Sequence, residues 1–213
     1  MLPIAGSIAY FIIEVFPDMA GSKTGRSAKR NVIEILNPDK DPNQAAADYS
    51  TIDTVENTIH LAQECLNKEM YNEANQLYNE CLTGVHEYDP DIMFGLAESE
   101  YGLSNYDTTK SILDSLIAQN PDYKNQQAHL LYAKSLEQLG EIQLAFNEYE
   151  TLDSYYLGSE PTYRLAMLLK KQGQDQKARE LLKKIINKSD VFGGHYHRLH
   201  KPWVKLAKKE YRN

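Results

Sequence analysis

Small side chains recur through the middle of this chain with a spacing that predicts paired α-helices. Four alanines that lie 35, 36 and 33 residues apart are each followed, twelve positions later, by a second small residue. The four couples are Ala62 and Ala74, Ala97 and Thr109, Ala133 and Ala145, and Ala166 and Ala178. Helices pack closely only where something small lies at their crossing, and a period of 33 to 36 residues is typical of arrays of helical hairpins.

Helix start and stop signals divide residues 53–190 into four helix pairs. Asp53, three residues before Glu56, forms a capping-box-like start. Asp89-Pro90 supplies a cap and a proline at the first helical position of the second pair. Gly140 stands where a left-handed helix stop is expected. The helices predicted for the first and third pairs cover residues 54–68, 71–88, 126–139 and 141–154, and the fourth pair begins at Pro161.

The residues at these positions resemble the tetratricopeptide repeat family. The third pair carries the family's pattern as Tyr132-Ala133, Gly140, Ala145 and Tyr149, and the fourth as Leu165-Ala166, Gly173 and Ala178. The second pair departs from the pattern, because Thr109 replaces the expected alanine. The resemblance covers about residues 54–190. It implies an all-α, right-handed solenoid of about four helix pairs that binds protein partners.

The C-terminal residues 191–213 are expected to form one more helix that caps the array. Phe192 to Arg212 shows a further helical pattern, with Lys201, Lys205, Lys208 and Lys209 on its outer side. The only tryptophan, Trp203, is expected to pack on the fourth pair.

The N-terminal residues 1–18 predict an apolar, membrane-anchor-like helix. The run from Leu2 to Phe16 is nearly all apolar, and a helix of this length spans roughly 23 Å, short of the roughly 30 Å hydrocarbon core. The positive-inside rule holds the downstream chain in the cytoplasm, because the run is followed by Lys23, Arg26, Lys29 and Arg30. Residues 19–52 are then a linker. The alternatives are that the run is buried on the array or is cleaved as a signal peptide.

The same N-terminal run resembles a membrane segment that precedes some bacterial phospholipase D-type proteins. Leu2-Pro3, Gly6 and Tyr10 match the start of a second spanning helix there. The resemblance implies that a preceding helix is missing, that Met1 is an internal or misassigned start, and that the protein lies at a bacterial inner membrane with a cytoplasmic repeat domain. The phospholipase signature His-x-Lys-x4-Asp does not occur in the chain, so no such activity is implied.

Charge is distributed unevenly along the chain. The net charge of −7 combines +1 over residues 1–40, −18 over residues 41–163 and +10 over residues 164–213. In an elongated array, such a sequence predicts one acidic and one basic end, although simple solvation of helix faces is an alternative. Nucleic acid is not expected as a partner, because the small basic end lies beside the larger acidic excess.

No catalytic constellation or cofactor motif is present, and the sequence predicts a protein that is not an enzyme. A nucleophile with a base, a phosphate-binding glycine loop and a zinc-protease motif are all missing. His195, His197 and His200 are candidate metal ligands, but solvated histidines are favoured because no acidic or cysteine ligand lies close by in sequence. Cys65 and Cys81 are expected to be free, buried side chains of the first hairpin.

The first helices of the pairs are expected to form a concave partner-binding face. Aromatic and aliphatic anchors mixed with charge suit a peptide groove, although a groove without a peptide ligand is an alternative. The candidate binding residues are Ile59, Gln63, Phe94, Glu98, Tyr101, Leu130, Lys134, Tyr163, Met167 and Lys170. The favoured function is a non-catalytic scaffold or adaptor, tethered to the cytoplasmic face of a bacterial inner membrane, that binds a protein segment.

A second hypothesis is a homo-oligomeric assembly module. In this interpretation the acidic body of one chain meets the basic C-terminal end of another, or the apolar N-terminus packs on a neighbour's array. Charge-driven association of this kind weakens as salt increases.

Overall fold

Residues 54–212 are described by a computed structural model of the chain, apart from the side chains of residues 192–197 and 199. Every regular element among these residues is helical, which confirms the predicted all-α fold class. The chain divides into two compact units, residues 1–87 and 88–213. The predicted N-terminal helix and linker lie outside the described residues. Among the residues that are described, no helix is both long and apolar enough to span a membrane.

Within its described residues, the first unit contains one helix pair, α1 (Val55–Asn67) and α2 (Tyr71–Cys81), followed by a short 3-10 turn (Gly84–His86). The N-cap of α1 is Thr54 instead of the predicted Asp53, and its hydroxyl accepts a hydrogen bond from the backbone N–H of Asn57 at 3.4 Å. Helix α2 ends at Cys81, short of the predicted end at residue 88. The chain beyond it turns at Gly84, whose φ of +59° favours glycine.

The second unit contains six helices in three pairs. They are α3 (Pro90–Gly102) and α4 (Tyr106–Gln119), α5 (Gln126–Gln138) and α6 (Ile142–Tyr155), and α7 (Glu160–Lys171) and α8 (Asp175–Arg212). The predicted start at Asp89 is confirmed, because its carboxylate accepts from the backbone N–H groups of Asp91 and Ile92 at 3.0 and 3.2 Å. Each pair packs on the next, α4 on α5 and α6 on α7, so the three pairs stack in chain order.

The small residues that marked the repeats lie at the helix crossings. Among the eight, seven are fully buried and Ala178 is 2% exposed. Thr109 fits at an alanine position because its hydroxyl donates to the carbonyl of Asn105 at 3.0 Å, which leaves the buried group hydrogen-bonded. The crossings are therefore held by the residues that the sequence pattern selected.

Helix α8 does not run straight over its full length. A straight helix of its 38 residues would be about 57 Å long, with Arg179 and Tyr211 about 48 Å apart. The guanidinium carbon of Arg179 instead lies 4.8 Å from the centre of the Tyr211 ring. Lys188 donates to the carbonyl of Leu157, and a Cβ on the next residue, Gly158, would lie 3.3 Å from the His200 ring. The helical run therefore folds back between residues 188 and 200.

The returning part of α8 covers the fourth pair, as predicted for the capping helix. Val204 and Ala207 are buried in the same core as Ala178 and Ile185. Trp203 also packs where expected, with its ring centre 5.6 Å from that of Tyr163. Helical residues run without a gap from Asp175 to Arg212, so the reversal lies within this run and the segment after it is the predicted capping helix.

Candidate partner-binding surface

The first helices of the second unit, α3, α5 and α7, carry polar and aromatic side chains that contact one another from helix to helix. We call this the first-helix surface and define it by the residues that line or brace it. These are Glu98, Tyr101, Lys134, Glu137, Glu160, Tyr163, Arg164, Met167, Lys170 and, from α8, Trp203. Six of the ten predicted binding residues belong to it.

Lys134 and Tyr101 form the link between α5 and α3. The ammonium nitrogen of Lys134 lies 4.6 Å from the centre of the Tyr101 ring, a cation–π geometry. Burial lowers the pKa of Lys134 and raises the pKa of Glu98. The charge of Lys134 opposes part of the rise at Glu98, because it stabilises the charged carboxylate. Two charges of opposite sign are thus held partly out of water beside an aromatic ring.

Arg164 of α7 is the centre of the charged part of the surface. Its Nη1 donates to Glu137 of α5 at 3.1 Å, and its Nε donates to Glu160 one turn earlier at 2.8 Å. The Tyr149 hydroxyl also donates to Glu137, at 2.7 Å. Burial opposes the charge on Arg164, but Tyr149, Glu160 and Glu137 together raise its pKa. The network ties the third helix pair to the fourth.

A groove of about 530 Å³ lies next to this network. Trp203 forms one wall, with the guanidinium carbon of Arg164 5.6 Å from its ring centre. Tyr163 and Met167 of α7 are half-buried there and form its apolar part. Lys170 lies at the edge, where its Nζ donates to Glu210 of α8 at 2.8 Å. The groove therefore combines an aromatic slot with cations, a combination that suits an apolar side chain on a peptide.

The other four predicted residues lie elsewhere. Leu130 was expected to face outward but is buried in the core with Leu165 and Leu169, because its side of α5 packs toward the fourth pair. Phe94 is half-buried on α3. Ile59 and Gln63 belong to α1 in the first unit, where Gln63 accepts a hydrogen bond from the Tyr78 hydroxyl at 3.3 Å.

Sequence reasoning missed Arg164 and the contribution of Trp203 to the groove. The Glu160–Arg164 spacing of four residues is a recognisable helical ion-pair signal. The contact between Glu137 and Arg164 joins residues 27 apart, and no local pattern indicates it.

The raised pKa of Glu98 predicts a pH-dependent contribution to stability. The folded protein binds this proton more tightly than the unfolded chain, so stability falls as pH rises from the carboxyl's ordinary value of 4.5 to its higher folded value. Glu98→Gln should remove that fall and flatten the profile. Urea unfolding midpoints, measured from about pH 4.5 to neutral, test it.

Glu150→Gln, at an exposed glutamate of α6, is the matched control for this measurement. It should keep the unmodified protein's profile over the same interval. A profile for Glu98→Gln that coincides with that of the control would contradict burial of the Glu98 carboxyl.

Candidate metal and thiol chemistry adds no further site within the described residues. Groups of three or more histidine, cysteine, aspartate or glutamate side chains able to hold a metal do not occur there, and the side chains of His195 and His197 lie outside them. Cys65 and Cys81 are buried thiols that form no disulfide, as predicted. Burial raises the pKa of the Cys65 thiol to about 12, which keeps it protonated and unreactive.

Comparison with protein families confirms the tetratricopeptide repeats. The tetratricopeptide repeat model matches residues 91–123 and 163–189, which correspond to the second and fourth pairs. Tetratricopeptide repeats point to protein–protein interaction. No curated protein sequence matches the chain.

Solved structures of the protein MamA share this fold. MamA 41-end from Desulfovibrio magneticus RS-1 has a TM-score of 0.59 and 12% identity, covering 76% of this chain and 93% of that one. A crystal structure of MamA has a TM-score of 0.58 and 19% identity, covering 79% and 91%. At such identities the likeness shows the fold alone. The N-terminal resemblance to phospholipase D-type proteins finds no support among these comparisons.

Proposed function

We propose that the protein is a non-catalytic scaffold that binds a segment of a partner protein on its first-helix surface. The observation that carries the proposal is the groove formed by Tyr163, Met167 and Trp203 beside Arg164. Aromatic side chains and arginine are the residue types that most often dominate protein-binding energy. A partner segment would place an apolar side chain in this groove and polar groups near Lys134 and Glu98.

Trp203 provides a direct readout of this binding. It is the only tryptophan, and it is half-buried in the groove, so an occupant changes its emission. Peptides selected from a random displayed library against the full chain should shift Trp203 fluorescence in a saturable titration. Met167→Asp places a charge in the apolar slot and should weaken binding by about tenfold or more, equivalent to about 1.4 kcal/mol.

Val85→Asp is the control for that substitution, because Val85 is 95% exposed in the first unit. It should leave peptide affinity unchanged. Selected peptides that bind Met167→Asp as tightly as the unmodified protein, or bind without changing Trp203 emission, count against the groove.

We further propose that the N-terminal run tethers the scaffold to the cytoplasmic face of a bacterial inner membrane. The apolar residues Leu2 to Phe16, followed by the basic cluster at Lys23 to Arg30, support this. In fractionated cells the full chain should stay with membranes after high-salt and alkaline washes and leave only with detergent. Release by salt alone would overturn insertion.

A second candidate function, self-assembly, is favoured by the charge of the second unit. Residues 88–163 carry thirteen acidic and three basic side chains, whereas residues 164–213 carry fourteen basic and four acidic ones. Because the three pairs stack in chain order, this unit is acidic at one end and basic at the other. Two copies therefore offer each other complementary charge.

A further inference from the structure

A second groove of about 830 Å³ lies in the second unit, between α4, α5 and α6. We call it the lateral groove. It is lined mainly by Ile117, His129, Tyr132, Glu148, Tyr155 and Leu157. None of the predicted binding residues belongs to it, and it is separate from the groove at Trp203.

The lateral groove exposes apolar surface. Leu157 is 72% exposed, Ile117 57% and Tyr155 49%, and all three line it. Single exposed apolar residues are ordinary on protein surfaces, but several gathered in one groove mark a place where another surface binds.

Carboxylates outnumber cations around the same groove, since Asp114, Glu141 and Glu148 lie near Tyr132, whereas the cations there are Lys124 in the lining and Lys110, which pairs with Asp114. Burial raises the pKa of Tyr132 to about 12, and the neighbouring carboxyl groups of Asp114, Glu148 and Glu141 add to the rise. Glu148 is held in place by His129, with 2.6 Å between its Oε2 and the ring Nε2. The Nδ1 of the same ring lies 2.5 Å from the Tyr155 hydroxyl, which braces the groove wall. An occupant should therefore be apolar and flanked by cations.

The returning part of α8 offers a surface of that kind. Leu206 is 37% exposed, and on the helix it is flanked by Pro202, Lys205 and Lys209, all of which are exposed. We call these four residues the basic tail surface. Neither lysine forms a salt bridge with another described residue, so both ammonium groups are available to a partner.

We infer that the lateral groove of one copy binds the basic tail surface of a second copy. The inference rests on the self-assembly candidate and specifies its two surfaces. Leu206 would pack between Ile117 and Leu157, with Lys205 and Lys209 near the carboxylates of Asp114 and Glu148. Because the two surfaces differ, the contact is heterologous and each dimer keeps one free groove and one free tail.

The contact should be weak and sensitive to salt. One helix face in one groove buries less than the roughly 1,200 Å² of a standard interface. Raising salt from about 0.01 to about 1 M shortens the Debye length from about 30 to about 3 Å and should dissociate the complex. Sedimentation velocity is measured on the full chain in a neutral detergent that covers the apolar N-terminus. The protein mass in the particle should exceed the 24.3 kDa of one chain only at low salt.

Two variants, each lacking one surface, test the pairing. The groove variant is Ile117→Lys with Leu157→Lys, and the tail variant is Lys205→Glu with Lys209→Glu. Each alone should be monomeric at low salt. Their equimolar mixture should form one-to-one dimers, because the groove variant keeps its tail and the tail variant keeps its groove. Matched controls that alter exposed residues elsewhere are Val85→Lys and the pair Lys177→Glu with Lys183→Glu, and they should associate like the unmodified protein.

The outcomes separate this inference from the candidate function on which it rests. If the unmodified chain stays monomeric at every salt concentration, both fail. If it associates but either variant does so equally well, self-assembly stands and the surfaces named here are wrong. If both variants are monomeric and their mixture remains so, the heterologous pairing is excluded.

Discussion

Ala166→Leu should lower the free energy of unfolding by about 1–3 kcal/mol, because it adds a branched side chain to a fully buried crossing. Ala166 lies on α7 in the core that also contains Ala178 and Leu182 of α8. The added atoms must push the helices apart or force side chains from their preferred rotamers. A loss of 2 kcal/mol corresponds to a decrease in melting temperature of about 4–8 °C. Circular dichroism at 222 nm during heating measures it, and Ala133→Leu should behave alike.

Ala118→Leu is the matched control for these substitutions. Ala118 lies on α4 but is exposed, so the same chemical change meets no neighbour there. Its melting temperature should change by no more than about 2 °C, since surface substitutions usually stay within about 0.5 kcal/mol. If Ala166→Leu and Ala118→Leu have the same melting temperature, the helix crossings do not depend on small residues.

The success of the sequence in predicting the fold has a local physical cause. A crossing needs a small residue, a helix start needs a cap and a sharp stop favours glycine, and each of these requirements is met by a residue at its own position. Asp89 accepts two backbone hydrogen bonds at the start of α3, and Gly140 has a φ of +78° after α5. Both positions were predicted from residue type and spacing alone.

The binding surface was only partly predictable, because it depends on contacts between distant residues. Glu98, Tyr101 and Lys134 were chosen by helical spacing, and the structure brings Tyr101 and Lys134 together. Leu130 follows the same spacing but is buried, since spacing gives a direction around the helix and not the position of its neighbours. The fold-back of α8 decides which residues Trp203 contacts, and the helix-breaking Gly193-Gly194 within that stretch does not specify the direction of the reversal.

The lateral groove shows the same limit. Its residues come from α4, α5, α6 and the turn after α6, and no single repeat contains them. Exposure of Ile117 and Leu157 follows from how the pairs stack, which a pattern of small residues does not specify. Charge was the one part of this surface visible in the sequence, because the acidic and basic residues occupy separate stretches.

Arg164→Met should also destabilise the protein strongly, by about 2–3 kcal/mol, because it leaves two partly buried carboxylates without their cation. Arg164, Glu137 and Glu160 are 21%, 17% and 18% exposed at their side chains, so solvent screens them only in part. Urea unfolding followed by circular dichroism measures the loss. Lys184→Met is the control, because Lys184 is 53% exposed and the one carboxylate it leaves, Asp153, keeps the hydrogen bond from the Thr162 hydroxyl at 2.6 Å, which should limit the cost to about 0.5 kcal/mol.

Restoring charge balance distinguishes this network from simple loss of packing. Adding Glu137→Gln and Glu160→Gln to Arg164→Met removes both unpaired charges and should recover at least half of the lost stability. The Tyr149 hydroxyl can still donate to the new amide oxygen at position 137, so that hydrogen bond is kept. If the triple variant recovers no stability, the loss in Arg164→Met comes from the missing packing of the Arg164 stem on Trp203. A cost for Arg164→Met as small as that of Lys184→Met would mean that the network does not join the third and fourth pairs.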